Sequence, residues 1–363
     1  MKGLRHFCVG ALALLFTWTA AAQASADDTA QKARIDRAVD NGLRFLAGSM
    51  CADGTFHGGS GRTTALPALA GMAFLSKGHL PGRPPYGEVV NRAIDYVLAQ
   101  ADMRPDAPFK GYLGREDNGR MYAHSIATLF LSECSGMVDE KRQRRIDAVL
   151  PHAVRVILDA QRHRKDNADQ MGGWRYQPDS ADSDLSCSGW ALMALRSARL
   201  NGGGVPPEAI EQAVLYVKRS RREKDGAFSY QGNNAQYGET LTGAGILCLE
   251  LCGKHLAPES LEAARYVCAT YPKALAPESD KYVFYGLYYS AQGLFQIGGE
   301  NWTTFYNWLD EKWLPKQRAD GSWVNERNGS ENNPAYATAM MVLSLTVPYR
   351  QLPIYQRDET VDL

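Results

Sequence analysis

The sequence has no surplus of either charge: its 363 residues carry 40 Lys and Arg against 40 Asp and Glu. That balance removes the long-range attraction on which nucleic-acid binding depends, so no nucleic-acid partner is expected. The basic runs Lys141–Arg145 and Lys218–Lys224 have acids nearby and read as solvated helix faces. After the first 26 residues no apolar run approaches the ~20 residues that a membrane-spanning helix requires, which excludes an integral span from the remainder. Cysteine is sparse and poorly placed for chemistry. No C-x-x-C pair or Cys/His cluster occurs, and Cys134, Cys187, Cys248, Cys252 and Cys268 sit inside apolar helical patterns, where a thiol behaves as a small hydrophobe. The loop holding Asp179, Asp182 and Asp184 lacks the glycine and closing glutamate of an EF-hand. No metal and no cofactor are expected.

What is present begins with a leader. "MKGLRH" is a basic start, "FCVGALALLFTWTAAA" an apolar core, and "ASA" before Asp27 a small-residue cleavage site. The expected organisation is a signal peptide over 1–26, one folded unit over 27–350 and a C-terminal tail over 351–363. The mature protein is expected to be exported, in a periplasm or outside the cell.

The folded unit is written in a repeating grammar. Turns that pair glycine with an aromatic recur at "CADGTF", "FKGYL", "MGGWRY", "KDGAF" and "QRADGSW". An amphipathic, charge-bearing helical pattern precedes each turn, such as "RIDAVLPHAVRVILDAQ", and a nearly all-apolar one follows, such as "CSGWALMALRSARLNGG". A fifth unit, "LEAARYVCATYPK" followed by "YGLYYSAQGLFQIGG", lacks the Asp-Gly turn. Gly54 and Gly321 are 267 residues apart, which makes five intervals of about 53. Six helical hairpins with buried second helices predict an all-α fold closed into an (α/α)6 toroid, a double ring of inner and outer helices. An open solenoid is the alternative.

Gln317–Trp323, "QRADGSW", resembles the QxxDGSW repeat motif of the terpene cyclase and protein prenyltransferase superfamily, and the hairpin period is similar to that family's toroid. The resemblance spans nearly all of 27–350, but Met50, Ala168 and Arg222 stand six residues before Phe56, Trp174 and Phe228, where the motif has glutamine. It implies reactive groups at the starts of inner helices. There, against the cyclase DxDD acid motif, the chain reads Asp184, Leu185, Ser186, Cys187, and a serine hydroxyl cannot protonate an alkene. Against the prenyltransferase zinc set, Asp184 and Trp190 align, but Ser186 replaces the thiolate and Ala337 the histidine, so zinc is not expected.

Other polar groups fall at the same helix starts. Asp184, Glu239 and His124 are the catalytic candidates, expected to converge on one mouth. Tyr122, Trp174, Tyr176, Trp190, Tyr237, Tyr282, Tyr285 and Tyr336 are the ligand-binding candidates, expected to form an aromatic bowl. The expected function is binding of an apolar or isoprenoid-type small molecule, or of a protein partner, without cyclase or zinc chemistry. The alternatives are a terpenoid-related cyclase or transferase with a non-standard acid, and a polysaccharide lyase or hydrolase on the same kind of toroid.

Overall fold

A computed structural model describes residues 7–56, 63–114, 120–232 and 236–355, with side chains from residue 28 onward. Of the expected leader, residues 1–6 lie outside the described residues, and 7–26 are described in their backbone alone, as part of one long helix. Among the described residues no helix is long and apolar enough to cross a membrane.

Among the described residues twelve α-helices run in six hairpins: α1 (Phe7–Ser49) with α2 (Ala65–Ser76), α3 (Gly87–Ala99) with α4 (Met121–Cys134), α5 (Glu140–Arg162) with α6 (Leu185–Leu200), α7 (Pro207–Arg219) with α8 (Gly238–Leu251), α9 (Pro258–Ala274) with α10 (Val283–Ile297), and α11 (Gly299–Trp313) with α12 (Pro334–Leu345). The even-numbered helices are apolar nearly all round, so each must be enclosed on every side. In α2 every residue from Leu66 to Ser76 is buried. The odd-numbered helices keep a wet face, and only one stripe of α3, α5 and α7 is buried.

Contacts close the ring. Each even helix packs on the next, α2 on α4 and so on to α12, and α12 packs back on α2. That last contact excludes the open solenoid. The odd helices form the outer layer, each resting on the inner helix before it, with α1 on α12. Arg34 of α1 and Asp310 of α11, 2.5 Å apart, span the outer seam.

The glycine turns fasten these units together. At Gly321 φ is +91°, and a Cβ there would lie 2.4 Å from the Asn41 carbonyl oxygen of α1, so only glycine fits. Asp320 accepts hydrogen bonds from the Ser322 amide and hydroxyl. Buried Trp323 donates its amide to the Thr338 hydroxyl on α12 and its indole N–H to the Trp313 carbonyl on α11. Gln317 donates to the carbonyls of Gly321 and, on α1, Ala38. The turn thus joins three helices.

Gly54, Gly111, Gly172 and Gly226 make the same approach to α3, α5, α7 and α9, each the outer helix of the following unit. In the third unit the missing glutamine is supplied from further back. Gln161 of α5 donates to the carbonyls of Gly172 and Ala209, the bonds that Gln317 makes, so the expected loss of this group is corrected: a longer loop hides it from a fixed spacing. The fifth unit, lacking the turn, is bridged by Trp313, whose indole donates to the Leu275 carbonyl.

The far end of the ring is shut by the chain itself. Leu352, Ile354 and Tyr355 are buried against the C-terminal ends of the inner helices, so the segment expected as a tail begins as a plug. Gln292 and Gln296 of α10 donate to the Tyr355 hydroxyl and carbonyl, and Glu133 of α4 accepts from the Ile354 amide and the Ser197 hydroxyl. Burial pushes the Glu133 carboxyl up to about 7.

Candidate functional site: a tyrosine cavity at the mouth of the ring

At the opposite end, where the inner helices begin, lies a cavity of about 310 Å³. Its ten lining residues are Tyr122, Tyr176, Tyr230, Tyr237, Tyr282, Tyr285, Ser186, Gln236, Thr240 and Leu241. Six are tyrosines, and among the described residues none of the lining is charged.

Backbone capping puts the rings there. Tyr176 and Tyr230 each stand two residues past a turn aromatic, in "WRY" and "FSY". The Tyr176 carbonyl accepts the Met121 amide that opens α4, and the Tyr230 carbonyl accepts the Leu185 amide that opens α6. Each tyrosine therefore belongs to one unit and caps the inner helix of the unit before it. The side chain then hangs over the mouth. In the sixth unit the corresponding residue is Asn325, and Glu331 caps α10 through the Phe284 and Tyr285 amides instead.

Behind the wall lies a polar lattice. Asp184, fully buried, is the N-cap of α6: one oxygen accepts the Cys187 amide at 2.8 Å and the Ser186 hydroxyl at 2.5 Å. The other accepts from Arg175 at 3.0 Å. Arg175 also donates to the Tyr230 hydroxyl at 2.7 Å, pairs with Asp182 and lies 4.5 Å over the Tyr176 ring. The Tyr176 and Tyr230 hydroxyls are 2.5 Å apart. Burial raises the Asp184 pKa, with Ser186, the Cys187 amide and Arg175 pulling it back. Burial, aided by Asp184, likewise raises Tyr230, so this phenol stays protonated. The floor is an aromatic column in which Tyr285 packs on Tyr289, Tyr289 on Tyr288, and Tyr288 stacks on Trp190 at 5.1 Å.

The structure brings Tyr122, Tyr176, Tyr237, Tyr282 and Tyr285 together as a bowl. It places three other candidates elsewhere. Trp174 is a seam residue whose indole donates to the Ile157 carbonyl, Trp190 belongs to the floor column, and partly buried Tyr336 opens α12 outside the cavity lining. The expected convergence of Asp184, Glu239 and His124 does not occur. His124 is wholly buried: Nδ1 accepts the Leu113 amide and Nε2 donates to the Ala153 carbonyl, the role that Thr338 and its counterparts play in other units. Burial lowers its pKa to about 4, so the ring is neutral. Glu239 turns away into a separate open trough of about 960 Å³, shared with Lys273, Glu278, Asp280, Lys281 and Arg327.

Tyr230, Arg175, Gln236, Thr240 and Leu241 were missed. The aromatic-x-Tyr spacing common to the third and fourth units would have found Tyr230. No three His, Cys, Asp or Glu side chains are grouped for a metal among the described residues, and Cys187 is a buried thiol whose pKa burial raises.

No family model and no curated protein matches the sequence. Solved structures do. The type II terpene cyclase MstE from Scytonema superposes with a TM-score of 0.55 at 16% identity, over 88% of this chain and 99% of that one. The GH76A α-1,6-mannanase of Salegentibacter sp. HEL1_6 gives 0.59 at 10% identity, over 86% and 98%. A glycosidase variant in complex with glucose gives 0.54 at 12% identity, over 88% and 98%. The chain has the α/α toroid that these terpene cyclase and glycosidase folds share. At such identities the likeness extends to the fold alone.

Proposed function

We propose that the protein is an exported binding toroid, which holds one end of a neutral ligand in the tyrosine cavity and catalyses no reaction there. One observation carries this reading: among the described residues no carboxylate lines the cavity, and Asp184, behind its wall, is fully buried and bonded on both oxygens. Alkene protonation needs an exposed strong acid, and glycoside hydrolysis needs two carboxylates flanking the bond. A tyrosine base would need a lowered pKa, and Tyr230 is shifted the other way.

The ligand's chemistry follows from the wall. Ring faces and Leu241 supply apolar area, while Ser186, Thr240, Gln236 and the phenols supply donors and acceptors. An isoprenoid-type ligand fits if it carries hydroxyl groups at the buried end. A bare hydrocarbon would strip these groups of water without replacement, at about 1–3 kcal/mol for each one left unpaired. A cavity of 310 Å³ lies at the low end of the ~300–1,000 Å³ typical of small-molecule sites.

The test is mass spectrometry of ligands that co-purify from the native compartment, followed by equilibrium binding to the parent and to Tyr122→Phe. A hydroxyl-bearing ligand bound more weakly by the variant and recovered unchanged supports the reading. A ligand converted to product, or one that Tyr122→Phe binds equally well, sinks it.

A further inference from the structure

Resting on that binding reading, we propose the ligand's class: the end of a linear, neutral oligosaccharide, with its terminal ring in the cavity and the following rings on Tyr237 and Tyr282. Three observations lead there. Among the described residues the exposed large apolar side chains include two aromatics, Tyr237 at 44% and Tyr282 at 39%, and both stand on the rim of this one cavity. Tyr237 holds φ at +57°, a left-handed backbone that a bulky residue adopts only under constraint, and it does so immediately before α8, in the cavity lining. Its carbonyl accepts the Thr240 hydroxyl and the Leu241 amide, which hold it there.

The third observation is the orientation of the rings. Tyr230, Tyr237 and Tyr282 form a ridge with successive centroids 5.8 Å apart and interplanar angles of 80° and 70°. Near-perpendicular rings cannot lie together against one flat fused-ring ligand. They suit separate saturated rings joined by rotatable links, each resting its C–H face on one aromatic face and turning its hydroxyls outward.

The trough beyond the ridge fixes the charge of the chain. Glu239, Glu278 and Asp280 face Lys273, Lys281 and Arg327, three acids against three bases, so a charged polymer gains no net attraction there. The same groups supply hydrogen-bond partners to a neutral polyol. Among the described residues the cavity itself is lined without charge.

The experiment titrates the whole protein with linear mannose and glucose oligosaccharides of one to six rings, with geranylgeraniol in detergent as the isoprenoid-alcohol control. Affinity should rise with chain length. Tyr237→Ala and Tyr282→Ala, which remove exposed side chains and leave the core untouched, should each weaken the longer chains by about tenfold while leaving the single sugar's binding within about twofold. Tyr122→Phe should weaken all sugars alike. If geranylgeraniol binds, Tyr122→Phe alters that binding and no sugar binds, the oligosaccharide class is wrong and the cavity reading stands. Sugar binding that is independent of length or indifferent to both rim variants also overturns the chain proposal. No binding of any probe, or binding that Tyr122→Phe leaves unchanged, overturns both.

Discussion

The two ends of the ring are built from the same six inner helices and have opposite characters. At the C-terminal ends Leu352–Tyr355 fill the opening, and Glu133, Gln292 and Gln296 are all bonded to that plug. At the N-terminal ends nothing from the described chain fills the opening, and six tyrosines face a cavity. Helix starts carry free amides and a positive dipole end, and Asp184 and Glu331 cap two of them. The sealed end is closed by the chain's own bonds, and the open end leaves a tyrosine-lined cavity.

That contrast can be broken in graded ways. The largest loss of stability is expected from Trp323→Ala, which empties a buried seam: about 3–5 kcal/mol by chemical denaturation, with ligand affinity of the folded fraction unchanged. Tyr355→Ala at the plug should cost about 3 kcal/mol, again without an effect at the mouth.

Next comes pH. Glu133 is raised to about 7 in the fold from an ordinary value of 4.5, so the folded state holds a proton that the unfolded chain has released, and stability falls as pH rises through that window. Glu331, also raised to about 7, acts in the same direction. His124, lowered to about 4, acts oppositely: its contribution is lost as pH falls from 6.5 towards 4. Denaturation midpoints for Glu133→Gln against the parent isolate the first effect, since the variant should lose part of the fall between pH 4.5 and 7. The smallest effect is expected at the mouth. Tyr237→Ala and Tyr282→Ala should change stability by no more than about 0.5 kcal/mol, because both residues lie on the exposed rim and neither is part of the buried core.

Much of the architecture was legible because it is periodic. Buried and half-buried helices alternate, and the glycine turns mark each joint, so six hairpins and their order could be read directly. Ring closure was harder, since it rests on contacts such as α12 on α2 that link the ends of the chain.

The site was half legible. Position at an inner-helix start identified Tyr122, Tyr237, Tyr282 and Tyr285, but sequence position does not fix direction. Glu239 and Tyr237 are two residues apart on α8 and its cap, and they face different hollows. His124 looked like an acid–base group because a polar residue on an apolar helix invites that reading; the two backbone groups that satisfy it come from Leu113 and Ala153, which no local pattern connects to it. Gln161 was overlooked for a related reason, its bonds being conserved in space across a loop of different length.

The most direct test of the central claim is a crystal structure of the protein carrying its co-purified ligand. The account predicts density among Tyr122, Tyr176, Tyr230 and Tyr285, extending over Tyr237 and Tyr282, with the Arg175–Asp184 pair intact behind the wall. A ligand seated elsewhere with the tyrosine cavity empty, or one bonded to an Asp184 released from Arg175, would contradict it.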